Sequence, residues 1–287
     1  MKTSTQLATQ LTGASRRKAW NVHTAFDWPA ALAPNRWFMP PELISIFGTP
    51  LYDTLDDEQK KRLSLFEIGN FFSLVLQGER PLVQGLVHRL YLKSTSREIT
   101  EYLHHFVDEE NKHMVMFGEF CNRYIGKVYP EKKISIAREY AKGEEEVAFF
   151  CKVLVVEELG DYYNVTIARD ERIDPLVREL NRVHHIDEAR HLAFGRAYLA
   201  ELFARYSSEW STEALAGFRS WLVAYLQGSW GDYYNPSMYR DAGLPEAYEV
   251  RTMALVHPAC ADHRRRASKR LVDYFVEIGL LAEEPRL

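Results

Sequence analysis

Cysteine is scarce in this chain, with three in 287 residues: Cys121, Cys151 and Cys260. None belongs to a C-x-x-C pair, which excludes the common zinc and dithiol motifs and leaves buried thiols in a reducing cytosol as the expectation. A basic excess is also lacking: 36 Lys and Arg stand against 40 Asp and Glu, for a net charge of −4. That balance argues against a nucleic-acid partner. No apolar run reaches the roughly 18 residues a membrane helix needs, so no membrane partner is expected. The N-terminal stretch ending at Trp20 has no apolar centre of the secretory kind, and a cytoplasmic location is the expectation. Period-2 alternation and hairpin punctuation are sparse, which disfavours a sheet. No internal repeat is visible.

What is present is a helical pattern. Residues 1–55 read as an irregular arm, rich in Pro, Trp and Phe (Trp28, Pro29, Trp37, Phe38, Pro40, Pro41), that packs over a helical domain spanning 56–287. A first helix is expected from about Asp57 to Leu92. A second follows Thr95, with Thr95 and Glu98 as a capping box, and runs to about Tyr124. A third runs from about Ile136 to Ala168, interrupted near Gly143. Asp174 and Pro175 open a fourth that ends near Tyr206. Further helices are expected over 211–226, 244–255 and 261–280. Four long helices with extra ones around them make an all-α bundle the expected fold.

Two Glu-x-x-His pairs carry the chemistry, Glu110 with His113 and Glu188 with His191. Residues three apart share a helix face, so each pair can aim a carboxylate and an imidazole at one point. A third pair, Glu101 with His104, must be weighed against them. The stripe of Ile99, Leu103, Phe106, Phe117 and Phe120 contains Glu110 and His113. Glu101, nine residues from Glu110, lies about 180° away and faces solvent. His184 joins Glu188 and His191 within about 60° of arc. On the first helix, Glu79 sits within the apolar stripe of Phe72, Val75, Leu76, Leu82, Val83 and Leu86, whereas Glu67 does not. The third helix is apolar all round at Val153–Val156, so periodicity does not separate Glu157 from Glu158.

Buried carboxylates and imidazoles are costly unless paired or bound to a cation. A hydrogen-bonded network without metal is the bland alternative. Asp187 and Glu109, each preceding a candidate ligand, suit second-sphere partners of His113 and His191. Salt bridges to Arg190 or Lys112 are the competing assignment. The basic run from His263 to Arg270 reads as a solvated helix face. Trp230, Tyr233, Tyr234 and Tyr239 read as packing rather than a substrate entrance.

At these residues the sequence resembles the p-aminobenzoate N-oxygenase family, the AurF-like di-iron oxygenases. The shared features are Asp108-Glu109-Glu110-x-x-His113, Val156-Glu157-Glu158 and His184-x-x-Asp187-Glu188-Ala189-Arg190-His191, with lead-ins at Phe26–Pro29 and Gly48–Pro50. The likeness covers about residues 24 to 230, and its most specific part is the His184 motif. It implies a ferritin-like bundle and a seventh protein ligand, an extra histidine one turn before the second Glu-x-x-His, where His184 stands. The implied set is Glu79, Glu110, His113, Glu157, His184, Glu188 and His191, with family spacing favouring Glu157 over Glu158. It further implies two iron ions, or manganese at one position, and O₂ as co-substrate. A small-molecule amine substrate, an external electron donor and pairing as a homodimer complete the expectation. The implied activity is N-oxygenation of an amine to hydroxylamine, nitroso or nitro level in natural-product biosynthesis. A di-iron C–H hydroxylase, desaturase or chain-cleaving oxidase is the alternative within enzymes, and a metal-storage or metal-sensing bundle the alternative outside them.

Overall fold

The computed structural model describes every residue except Met1, Pro34 and 131–139. Among the described residues the chain is helical, and its β-like pairing is one isolated bridge between Trp37 and Ile173. Helix α1 covers Ser4–Arg17, a 3-10 turn Pro41–Leu43 follows, and α2 covers Pro50–Thr54. The four long helices are α3 (Asp57–Arg89), α4 (Arg97–Phe120), α5 (Glu144–Arg169) and α6 (Pro175–Tyr206). Helices α7 (Thr212–Tyr233), α8 (Pro236–Asp241), α9 (Ala247–Val256) and α10 (Pro258–Glu277) complete the chain.

Short connections pair α3 with α4 and α5 with α6 as antiparallel neighbours. Contacts of α3 with α5 and of α4 with α6 close the four into a bundle. Local chemistry fixes the ends. Asp56 and Gln59 form a reciprocal capping box at the start of α3. Asp174 accepts the Leu176 N–H, and Pro175 supplies a preset first turn, so α6 starts and ends where the sequence pattern puts it.

Several boundaries differ from expectation. The cap of α4 is Ser96, which accepts from the Ile99 amide, while the Thr95 hydroxyl donates to the Arg89 carbonyl. After Phe120 the helix widens into a π turn, Cys121–Ile125. The start expected for the third helix, 136–139, lies outside the described residues, and the described α5 begins after Gly143. The arm is not irregular throughout. Its first segment is α1, opened by a capping box of Thr3 with Gln6 that the polar composition around it obscures. That helix lies across α4 and α6, and Ala8, Leu11, Val22, Phe26, Phe38 and Met39 belong to the same apolar core as the bundle.

Two glycines matter for position. A Cβ at Gly78 would stand 2.7 Å from Val156 Cγ1, so its absence lets α3 approach α5 beside Glu79 and Glu157. Gly143, at φ +73°, turns the chain into α5 with its missing side chain 2.3 Å from the Tyr206 ring. Gly143→Ala is expected to cost about 1–2 kcal/mol for the left-handed backbone. Crowding against Tyr206 adds about 1–3 kcal/mol. Thermal or denaturant unfolding of the metal-free protein measures the sum.

The cysteines are buried free thiols. The run from His263 is mixed. Arg265 and Lys269 are solvated and pair with Asp262 and Asp273, but Arg264 is buried and donates to the Leu255 carbonyl and the Tyr234 hydroxyl. Trp230, Tyr234 and Tyr239 are core residues, with the Trp230 indole donating to Ser268. No helix among the described residues is long and apolar enough to cross a membrane.

Candidate metal centre

The bundle axis carries two groups of ligand-type atoms. Glu79 from α3, His113 from α4, and His184 and Glu188 from α6 form one. Glu110 from α4, Glu157 from α5, and Glu188 and His191 from α6 form the other. Within each group the candidate atoms lie within 4.8 Å of one another, and all seven residues are buried. All seven positions singled out from the sequence thus meet in one place. Glu157 is the glutamate of the 157/158 pair that points inward. Glu158, one residue and about 100° further round the helix, instead pairs with Arg196.

Glu188 belongs to both groups. Its Oε1 lies 3.0 Å from His184 Nε2 and 3.3 Å from His113 Nδ1, while Oε2 lies 3.2 Å from His191 Nδ1. Glu110 spans them as well, with Oε1 2.7 Å from His191 Nδ1 and Oε2 3.4 Å from His113 Nδ1. Glu79 Oε1 is 3.3 Å from His184 Nε2 and 3.6 Å from His113 Nδ1.

The outward nitrogens are held crosswise. His113 Nε2 faces Asp187 Oδ2 at 3.3 Å, and His191 Nε2 faces Glu109 Oε2 at 2.9 Å. Each carboxylate therefore serves the histidine of the other helix. Arg190 pairs with both carboxylates too, so the two assignments weighed for them coexist. Burial would raise the Asp187 carboxyl, but the His113 hydrogen bond and charge, the Trp20 indole and Arg190 outweigh it and hold it well below the usual range. Burial likewise opposes ionisation of Glu109, and His191 with Arg190 overcomes it. Both stay anionic and accept Nε2–H, so each imidazole, once its Nδ1 proton is given up, turns that lone pair toward the cluster. His184 is turned the other way, with Nδ1 2.6 Å from the Asn164 side-chain amide. The atom placed there is Asn164 Nδ2; turning that amide over brings Oδ1 to accept Nδ1–H and presents the Nε2 lone pair inward.

The donor set fits cations. Buried Glu79 Oε1 and Oε2, Glu110 Oε1, Glu157 Oε1, Glu188 Oε1 and His184 Nε2 have no hydrogen-bond partner. So many orphaned acceptors at one point are expensive in a closed core unless a cation satisfies them. Oxygen and imidazole donors without thiolate suit iron or manganese.

The rejected candidates lie elsewhere. Glu101 pairs with Arg16 at the surface, and His104 is exposed beside the Tyr91 hydroxyl. Glu67 is buried outside the cluster, where Ser45 donates to it from both N and Oγ; burial pushes its carboxyl up to about 8 against those bonds. His185 sits 2.5 Å from Asp161. Three supporting residues escaped sequence reasoning. Asn164 had a signal, since it follows Glu157 by two helical turns on one face. Ser15 and Trp20, which reach Arg190 and Asp187, had none, because nothing local ties them to positions 167 or more residues away.

Single carboxylates from two helices and Glu-x-x-His pairs from two others define the ferritin-like carboxylate class. Within it, the chain belongs to the AurF family, described as p-aminobenzoate N-oxygenase AurF, with the match running over residues 1–279. Relatives include uncharacterized proteins of Mycobacterium tuberculosis (Rv0885) and Mycobacterium bovis (Mb0909). Each is 29% identical over 211 residues, covering 69% of this chain and 61% of the relative. The chain thus matches less than two thirds of the length of these relatives. A solved structure described as an R2-like ligand-binding oxidase without metal cofactor aligns with 91% of this chain and 96% of its own. The TM-score is 0.42 and the identity 14%, a likeness too distant to bear on chemistry.

Proposed function

We propose that this protein is a di-iron oxygenase that uses O₂ to oxidise the nitrogen of a small amine. The observation that carries the proposal is the seven-residue ligand set with His184 included, together with membership of the AurF family. Glu79, His113, His184 and Glu188 would hold one metal, and Glu110, Glu157, Glu188 and His191 the other. Iron at both positions, or manganese at one, agrees with the donor chemistry. When bound, such a pair supplies the redox chemistry of O₂, which no side chain of the chain supplies by itself.

The chain's own part is positioning and exclusion. Glu188 and Glu110 each turn one oxygen toward either position, which fixes the spacing of the two sites. Phe106 stacks on His191 with ring centres 3.8 Å apart, and Phe117 meets His184 edge-on at 4.9 Å. These rings exclude water from the imidazoles, and a dry site strengthens every charge interaction within it. Asp187 and Glu109 hold the outward N–H protons of His113 and His191. A second imidazole beside Glu79 makes that position the richer in neutral donors, the feature that supports an oxidant suited to amines. An external electron donor, a role in natural-product biosynthesis and a homodimeric state belong to the same proposal.

The test is turnover of iron-reconstituted protein with O₂, a reductant and a panel of amines, read by product mass with isotope-labelled O₂. The expected product carries labelled oxygen on nitrogen. Oxygen on carbon, or loss of two hydrogens, would establish the C–H hydroxylase or desaturase reading instead. A multi-subunit cage that accumulates iron would establish storage. His184→Ala is expected to lower iron below two per chain and to abolish N-oxidation. Full retention of both would remove the reason for preferring this chemistry.

A further inference from the structure

A cation inside the bundle needs its histidines aimed, and part of that aim is set from outside the four helices. Arg190 Nη2 donates to Glu109 Oε1 at 2.6 Å and also to Asp187 Oδ1. One guanidinium therefore ties together the two carboxylates that support His191 and His113. The N-terminal segment grips both ends of this tie. Arg190 Nε donates to Ser15 Oγ on α1 at 3.0 Å. Just beyond α1, the Trp20 indole N–H donates to Asp187 Oδ2 at 2.8 Å, the same oxygen that faces His113 Nε2. Ser15, Glu109, Asp187 and Arg190 are all buried, so water does not substitute for these bonds.

We propose that the segment Ser4–Trp20 is a functional part of the metal centre, with Ser15 and Trp20 as positioning residues. They hold Arg190 and Asp187 and thereby orient His191 and His113. The inference rests on the metal-centre reading above.

The arrangement separates this role from simple docking. Helix α1 has independent anchors: the Ser4 amide donates to Glu201 at 2.7 Å, Arg16 pairs with Glu101, and Ala8 and Leu11 are in the core. Loss of the Trp20 N–H leaves those intact and removes one bond to Asp187. The effect should also be one-sided. Among the described residues the Trp20 N–H bonds only to the carboxylate behind His113, whereas Ser15 acts on Arg190, which serves both carboxylates.

The experiment is a Co²⁺ titration of the metal-free full-length chain, followed by bound metal and by the visible absorption of bound Co²⁺. Trp20→Phe keeps the ring and removes the donor. It is expected to weaken one of two equivalents by about 10–100-fold, the usual range for loss of an outer partner, and to alter the absorption of that equivalent. Ser15→Ala is expected to weaken both equivalents by a smaller factor. Arg16→Ala, which cuts a surface tie of the same helix, is expected to titrate like the wild type. If the wild type binds two equivalents and Trp20→Phe matches it, the inference fails while the metal reading stands. If Arg16→Ala weakens binding as much as Trp20→Phe, the helix merely docks and the positioning role is refuted. A wild type that takes up no Co²⁺ overturns both readings.

Discussion

Glu188→Gln is expected to lose both metals, while Glu79→Gln and Glu157→Gln each lose one. The asymmetry follows from sharing: among the described residues, Glu188 is common to the two ligand groups and offers one oxygen to each. The amide keeps the shape but removes the charge, and its NH₂ end presents protons where a cation would sit. Outer-sphere losses already cost about 10–100-fold in metal affinity, and removal of a ligand shared by both positions should exceed that. Iron analysis after reconstitution reads the result directly. Glu188→Gln retaining near two irons per chain would break the proposed arrangement. Glu101→Ala and His104→Ala, on the discarded surface motif, should retain both irons.

Stability gives a second reading of the same substitution. The metal-free site crowds carboxylates in a closed core, and a buried charge without a full set of partners destabilises the folded state. Glu188 is the exception, because the His191 and His184 charges favour its ionised form, so the metal-free variant should melt somewhat below the metal-free wild type. Metal should then raise the melting temperature of the wild type but not of the variant. A variant that merely misfolds would also lose helical circular dichroism before any melting, so the two explanations separate.

The candidate ligands other than Glu157 were legible because each sits where helical periodicity speaks. Glu79, Glu110 and His113 interrupt apolar stripes, and His184, Glu188 and His191 share one narrow arc. Periodicity fell silent at Glu157 and Glu158, because α5 is apolar on every side; the structure turns Glu157 toward the cluster and pairs Glu158 with Arg196. Asp187 and Glu109 were legible as neighbours of ligands, but their crossing between α4 and α6 was suggested only by the need of each imidazole for an outer partner. The arm packs on the bundle, but its helix α1 was not foreseen, for a physical reason. Its helix has modest apolar content, and its value lies in single contacts, Ser15 to Arg190 and Trp20 to Asp187, that span most of the bundle sequence. The cap expected at Thr95 is taken instead by the adjacent Ser96, whose oxygen receives the amide of the core residue Ile99.

Metal binding is expected to release protons and to weaken steeply as pH falls. Burial drives the Glu157 carboxyl well above its ordinary value, and the charges of Glu188 and Glu110 add to the rise. Burial, then Glu188, raises Glu110 in the same way. Burial would lower the histidines, but the neighbouring carboxylates of Asp187, Glu110 and Glu79 outweigh it at His113, and the charges of Glu188 and Glu110 outweigh it at His191, so both rise. Glu188 goes the opposite way: burial opposes its ionisation, yet the His191 and His184 charges hold it well below the carboxylate range. The metal-free site therefore holds protons on Glu157, Glu110, His113 and His191 more readily than the free side chains do. A cation needs the deprotonated form of each, so it competes with those protons. Groups with raised values bind protons more readily as pH drops, so the apparent affinity falls by about tenfold per pH unit for every proton displaced. Asp187 and Glu109 stay ionised and contribute none. Titration calorimetry in buffers of different ionisation enthalpy, repeated across about pH 6 to 8, counts the released protons. A count above one with affinity rising toward high pH is expected. Binding without proton release would mean that the buried carboxylates and imidazoles already stand in ligating form without a cation, leaving their orphaned lone pairs unexplained.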